Sequence, residues 1–228
     1  MNKTYIIDFQ SFKDYQNRFI LKELAIVSCG ANKTVHCIIK PPYSFDSLFP
    51  ERKQQVQWLK ENYHGIDWAD GYITPRAAMA LFRETVKDGE ILLIKGSERC
   101  KFLQHLFPMK TVIDLDELGC PPAKILPEIL DAPQCFHYNH IPSNVAYKDY
   151  VCSLKNICKF KVWCEHFYLK INNNPSSSSP TSQEIFDKWM DIGIDEDELD
   201  EWGDTKDEEE KGTDKEDNKN KEGYDLPY

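Results

Sequence analysis

Three β-rich runs separated by short turns open the chain, and only after them does the pattern change to alternating helix and strand. "TYIIDFQSF" (4–12) has an apolar, aromatic centre, "RFILKELAIVSC" (18–29) alternates, and "TVHCIIKPP" (34–42) is stopped by Pro41 and Pro42. Polar residues from Asp14 to Asn17 make the first turn. Short turns between successive strands join antiparallel neighbours, so this opening predicts a three-stranded meander. Helical spacing then appears in "PERKQQVQWLKENY" (50–63), with Val56, Leu59 and Tyr63 on one stripe. "TPRAAMALFRETVKD" (74–88) follows, with Thr74 as N-cap and Pro75 at the first helical position. "GEILLIKG" (89–96) is a short apolar run between glycines, as expected of a buried parallel strand. "SERCKFLQHLF" (97–107) reads as a helix capped by Ser97, "TVIDLDEL" (111–118) as a strand running into a turn, and 149–170 as a long closing helix.

The predicted order is βββ, α, α, β, α, β, α. An antiparallel meander followed by alternating elements is the pattern of a ribonuclease H-like mixed α/β sheet with flanking helices. Such a fold does not give a function. The folded domain is expected over residues 1–170. At Asn172 the composition changes to "NNNPSSSSPTSQ" and then to low-complexity charge, which has little to bury and predicts a disordered acidic tail over 171–228. Residues 1–170 carry 22 Lys/Arg against 19 Asp/Glu, a balance of +3. Residues 171–228 carry 6 against 19, a balance of −13. The acidity of the chain therefore belongs to its tail. Within it, residues 184–202 set Phe186, Trp189 and Trp202 among acids, as a solvated tail or as a segment that folds on a protein partner.

No small-residue cleavage site follows an apolar core at the N-terminus, and no apolar run reaches the ~20 residues of a membrane span. The expectation is a reducing, intracellular setting, nuclear or cytoplasmic. The eight cysteines are then thiols or metal ligands rather than disulfides.

Nucleases of this fold class use converging carboxylates to hold two Mg²⁺ ions. Asp8 stands in the first run, but its neighbour two residues on is Gln10, a neutral amide. A second acid is expected before "KFL", where "SERCKFL" supplies Arg99 or Cys100 with Glu98 beside it, and a cation there repels metal. His140 and Asp149 stand at a longer spacing than a closing His–Asp motif has. A divergent exonuclease of the DEDD type is the alternative these residues argue against. A second set is Glu23, in the apolar "FILKELAIV", with Cys135, His137, His140 and Cys152. Carboxylate, thiolate and imidazole together suit tetrahedral Zn²⁺. The competing reading is scattered core or loop thiols. Cys29, Cys37, Cys158 and Cys164 read as packing residues and Cys120 as a loop thiol. His36, His64, His105 and His166 read as surface or satisfied histidines. Lys95, Arg99, Lys155, Lys159 and Lys161 are candidate nucleic-acid contacts at the strand ends, or a solvated basic face.

"KELA" around Glu23, "LLIKGSERCKFLQHL", and Cys135 with a nearby histidine followed by "CSLKN" at Cys152 resemble the Maelstrom domain over most of residues 5–168. That family is a ribonuclease H-like module of the piRNA pathway whose carboxylates are replaced by a zinc-binding Glu-Cys-His-Cys set. The resemblance implies zinc, association with single-stranded RNA and a ribonuclease activity in which Glu23 or Asp8 takes part. The chain departs from the family in placing one residue (to His137) or four (to His140) after Cys135 where the family has two, which leaves the histidine ligand open. A non-catalytic scaffold that recruits a partner through the acidic tail is the other class of function.

Overall fold

The computed structural model describes residues 3–30, 33–129, 132, 133, 135 and 151–168. His137, His140, the 1–170 boundary and the whole expected tail, with Phe186, Trp189 and Trp202, lie outside them. The elements are strands β1 (Lys3–Lys13), β2 (Phe19–Ser28) and β3 (Thr34–Ile38), helices α1 (Pro50–Asn62) and α2 (Pro75–Thr85), strand β4 (Gly89–Ile94), helix α3 (Ser97–Leu106), strand β5 (Thr111–Asp114) and helix α4 (Ser153–Trp163). The sheet order is β3-β2-β1-β4-β5. Strands β1, β2 and β3 pair antiparallel, and β4 and β5 run parallel to β1. This is the mixed α/β sheet, antiparallel and then parallel, expected from the order of the sequence runs.

Side chains on a strand alternate between faces, and the β1–β2 register sorts them. Ile6, Asp8 and Gln10 lie opposite Val27, Ala25 and Glu23 on one face. Ile7 and Phe9 lie opposite Ile26 and Leu24 on the other. The second face packs on α2 and α3 through Ala78, Phe82 and Leu103. The first face packs on α4 through Leu154, Ile157, Phe160 and Trp163. Full burial of a large apolar side chain stabilises by roughly 1.5–3 kcal/mol, so this stripe docks α4. A local cap does not do so, because the N-cap residue Cys152 makes no side-chain capping bond.

Three helix starts can be compared with the sequence expectation. Helix α2 begins as the sequence predicts, with Thr74 Oγ1 accepting from Ala77 N–H and Pro75 in the first turn. Helix α3 does not. Its N-cap is Gly96, at φ +102°, and Ser97 is already helical. Gly96 N–H donates to Asp114 Oδ1 at 2.9 Å, which fixes a backbone conformation that favours glycine. The closing helix also starts later than expected. Cys152 is extended and Val151 N–H is held by Tyr63 O at 2.7 Å, so the helix runs from Ser153. Among the described residues, no helix is long and apolar enough to cross a membrane.

Candidate metal centre

Glu23 has no solvent exposure. A carboxylate there must be met by donors, and the surrounding elements supply them. Ser153, the first residue of α4, donates its N–H to Glu23 Oε2 at 3.0 Å, so the carboxylate sits where a helix N-terminus favours negative charge. His36 Nε2 lies 2.9 Å from Glu23 Oε1. Cys135 Sγ is 3.6 Å and Cys152 Sγ 3.4 Å from that same oxygen. Cys135 Sγ is also 3.4 Å from His36 Nε2. The ligand atoms of Glu23, His36 and Cys135 all fall within 4.8 Å of one another, so this cluster has the make-up to hold a metal ion.

The electrostatics are those of a tightly coupled polar cluster. Burial lowers the His36 imidazole, but its bonds to Cys135 and Glu23 outweigh that and raise it to about 9. The hydrogen bond to Cys135 raises the Cys152 thiol, and burial and the Glu23 carboxylate push it further in the same direction. Bond lengths of ~2.0–2.3 Å around a tetrahedral ion put neighbouring O, N and S donors roughly 3.3–3.8 Å apart. The three sulfur distances, 3.6, 3.4 and 3.4 Å, fall inside that range. The Glu23–His36 distance of 2.9 Å is that of a hydrogen bond.

Of the residues expected here from sequence, Glu23, Cys135 and Cys152 are brought together. The sequence alone makes His36 a surface or satisfied histidine, and the structure shows a satisfied one that also joins the candidate ligand cluster. Its side chain is only 13% exposed and bonds to Glu23. The reason is the β2–β3 register, in which Ala25 faces His36 and Glu23 faces Ile38. His36 is thus the diagonal neighbour of Glu23 on one face, within reach of a long side chain. That relation is open to a reader who pairs the two strands before searching for ligands.

Asp8 shares this face but belongs to a different network. It is 1% exposed. Arg99 Nη1 donates to its Oδ1 at 2.5 Å and Asn156 Nδ2 to its Oδ2 at 2.8 Å. Burial pushes its carboxyl above the usual range, while Arg99 and Asn156 pull it down. Both oxygens are therefore engaged by protein groups, one of them a cation. Gln10, opposite Glu23 in the register, donates through Nε2 to Ser153 Oγ at 3.3 Å.

Four of the five expected nucleic-acid contacts, Lys95, Arg99, Lys159 and Lys161, make ion pairs within the chain. Lys95 pairs with Asp116 and donates to Cys120 O. Lys159 is buried, bonding Glu128 at 2.5 Å and Ala123 O at 3.1 Å. Lys161 pairs with Glu165 at 2.7 Å. Lys155 is half-buried on α4. The remaining thiols pack: burial pushes Cys37 up to about 11 and Cys120 up to about 12. Tyr72, 61% exposed, donates to His36 O at 3.2 Å and so stands at the solvent side of the cluster. No protein-family model matches the chain, and no curated protein matches it in sequence.

Proposed function

We propose that this chain is a zinc-structured ribonuclease H-fold module that works as a scaffold, without the two-metal nuclease chemistry of the fold. The supporting observation is the state of Asp8. The first strand's carboxylate is buried, and both of its oxygens are taken, by Arg99 and Asn156. A two-Mg²⁺ mechanism needs several free carboxylates around the ions, and a guanidinium stands where the second acid is expected. Glu23, His36 and Cys135, whose ligand atoms lie within 4.8 Å of one another, are the residues that would hold zinc, with Cys152, 3.4 Å from the same Glu23 oxygen, as the fourth ligand. Four protein ligands leave no open position for an activated water, so such an ion contributes structure. It would tie β2, β3 and the start of α4 to Cys135.

Association with single-stranded RNA is the second reading. It is favoured by the convergence of Glu23 with Cys135 and Cys152, the set that the resemblance to the Maelstrom domain calls for. The ion pairs of Lys95, Lys159 and Lys161 leave those cations less to offer phosphates, so binding through them would be weak.

The test is metal analysis of the purified chain beside its Cys152→Ala variant, with single-stranded RNA cleavage assayed in Mg²⁺. One zinc per wild-type chain is expected, lost in the variant together with a fall in melting temperature. Stoichiometric zinc in Cys152→Ala overturns the ligand set. Mg²⁺-dependent cleavage abolished by Asp8→Ala overturns the scaffold reading.

A further inference from the structure

The same cluster places two buried thiols against one carboxylate oxygen and one imidazole. Cys135 and Cys152 are 3% and 1% exposed, and their sulfurs lie 3.6 and 3.4 Å from the same Glu23 oxygen. His36 Nε2 stands 3.4 Å from Cys135 Sγ. Elsewhere, Cys164 has Cys29 and Cys120 for neighbours. We propose that Cys135 and Cys152 are a redox-active dithiol that closes to a disulfide with a hydroperoxide when the centre is metal-free.

The chemistry balances with hydrogen peroxide as oxidant. The Cys135 sulfur attacks one peroxide oxygen, the O–O bond breaks and an S–O bond forms. The thiol proton passes through His36 Nε2 to the departing hydroxide, giving water and a sulfenic acid on Cys135. The Cys152 sulfur then attacks the Cys135 sulfur, an S–S bond forms, and hydroxide leaves with the Cys152 proton as a second water. Two thiols are oxidised to one disulfide and one peroxide is reduced to two waters. Position assigns the roles: His36 touches Cys135, and Cys152 is the thiol within reach of the product. Zinc and the disulfide exclude each other, since a ligand must be thiolate. The control of metal occupancy by oxidant, though not the disulfide itself, rests on the zinc reading above.

The experiment uses the full chain, once stripped with a chelator under reducing conditions and once reloaded with zinc. Each form is treated with hydrogen peroxide, its thiols are counted, and the cross-link is located by non-reducing peptide mapping. The stripped protein should fall from eight free thiols to six, with Cys135 joined to Cys152, and dithiothreitol should restore both the thiols and zinc uptake. The zinc-loaded protein should keep all eight thiols over the same exposure. Cys152→Ser should leave a sulfenic acid on Cys135 that a 1,3-dione captures, and His36→Gln should slow its appearance. A cross-link at Cys29 or Cys164, or no thiol loss in the stripped wild type, overturns the proposal. If Cys135–Cys152 forms equally fast whether or not zinc is offered, and no zinc is retained, the dithiol stands and the zinc reading falls.

Discussion

Replacing Arg99 with methionine isolates the charge balance around Asp8. Methionine keeps much of the arginine stem's packing and removes the guanidinium that sits 2.5 Å from Asp8 Oδ1 and 5.2 Å from the Phe9 ring. Asp8 is left 1% exposed with Asn156 as its remaining side-chain partner. Breaking a buried ion pair by deleting one partner costs about 3–5 kcal/mol. The Arg99 side chain is 24% exposed, so a loss of about 3 kcal/mol near neutral pH is the working figure. The pH dependence has a definite sign. Asp8's carboxyl already lies above the ordinary range in the folded protein, and removing the cation raises it further. Between its unfolded and folded pKa values the folded state then holds the extra proton, and stability falls as pH rises. The cost of Arg99→Met should therefore be smaller at pH 5 than at pH 7. Urea unfolding of wild type, Arg99→Met, Asp8→Asn and the double variant at both pH values measures it. The double variant should recover most of the loss, because the Asp8→Asn change leaves no buried charge at that position. Mg²⁺ should not rescue Arg99→Met, since one carboxylate makes a poor divalent site. A pH-independent loss below about 0.5 kcal/mol, within the scatter of ordinary surface substitutions, would refute the buried-pair account.

Three further outcomes rest on single features. Lys22 is fully buried, donating to Trp68 O at 2.8 Å and Asp70 O at 2.6 Å, and burial lowers it to about 8. The unfolded chain therefore binds more protons between about pH 8 and 10.5, and this group adds stability as pH rises through that window, on the order of 3 kcal/mol in all. Relative to Lys22→Met, wild type should gain on that scale from pH 8 to 10.5 in denaturant titrations; parallel curves would show that Lys22 is not the source. Gly71 sits at φ +129°, and a Cβ there would meet Ile39 C and Lys40 N at 2.4 Å. Gly71→Ala should thus cost about 2–3 kcal/mol in thermal unfolding, and an unchanged melting temperature would contradict the packing of this segment on the Ile39–Lys40 backbone. Deleting residues 171–228 removes a charge of −13 from a remainder at +3. Single-stranded RNA binding should tighten at low salt, and the gain should shrink as salt rises; equal affinities at low salt would remove the tail's electrostatic role.

The sheet is legible in the sequence because its information is local. Alternation in "FILKELAIV", the double proline after "TVHCII" and the glycine-bounded "GEILLI" each name a strand without reference to the rest of the chain. The start of α3 is misleading for a local reason too. Ser97 is a good capping residue in isolation, but Asp114 on β5 takes the Gly96 N–H, a partner 18 residues away that no window on the sequence contains. His36 escapes a linear reading for a related reason. Its role comes from a diagonal across two paired strands, whereas proximity to Cys135 in sequence favours His137 and His140.

The two networks on the α4 face divide the work of neutralising buried acid. Asp8 and Glu23 lie on neighbouring strands of one face, near enough that Glu23 raises the Asp8 carboxyl. Two carboxylates so placed repel, and each requires its own compensation. Asp8 receives a guanidinium and an amide from α3 and α4. Glu23 receives the N–H of Ser153 at the start of α4, an imidazole and two thiols. In the first network the cation is covalently part of the chain and leaves no room for exchange. In the second the donors include an imidazole and thiols, groups that can also ligate a metal. Asp8 is thus held by a fixed guanidinium, whereas Glu23 sits in a cluster with the make-up to hold a metal ion.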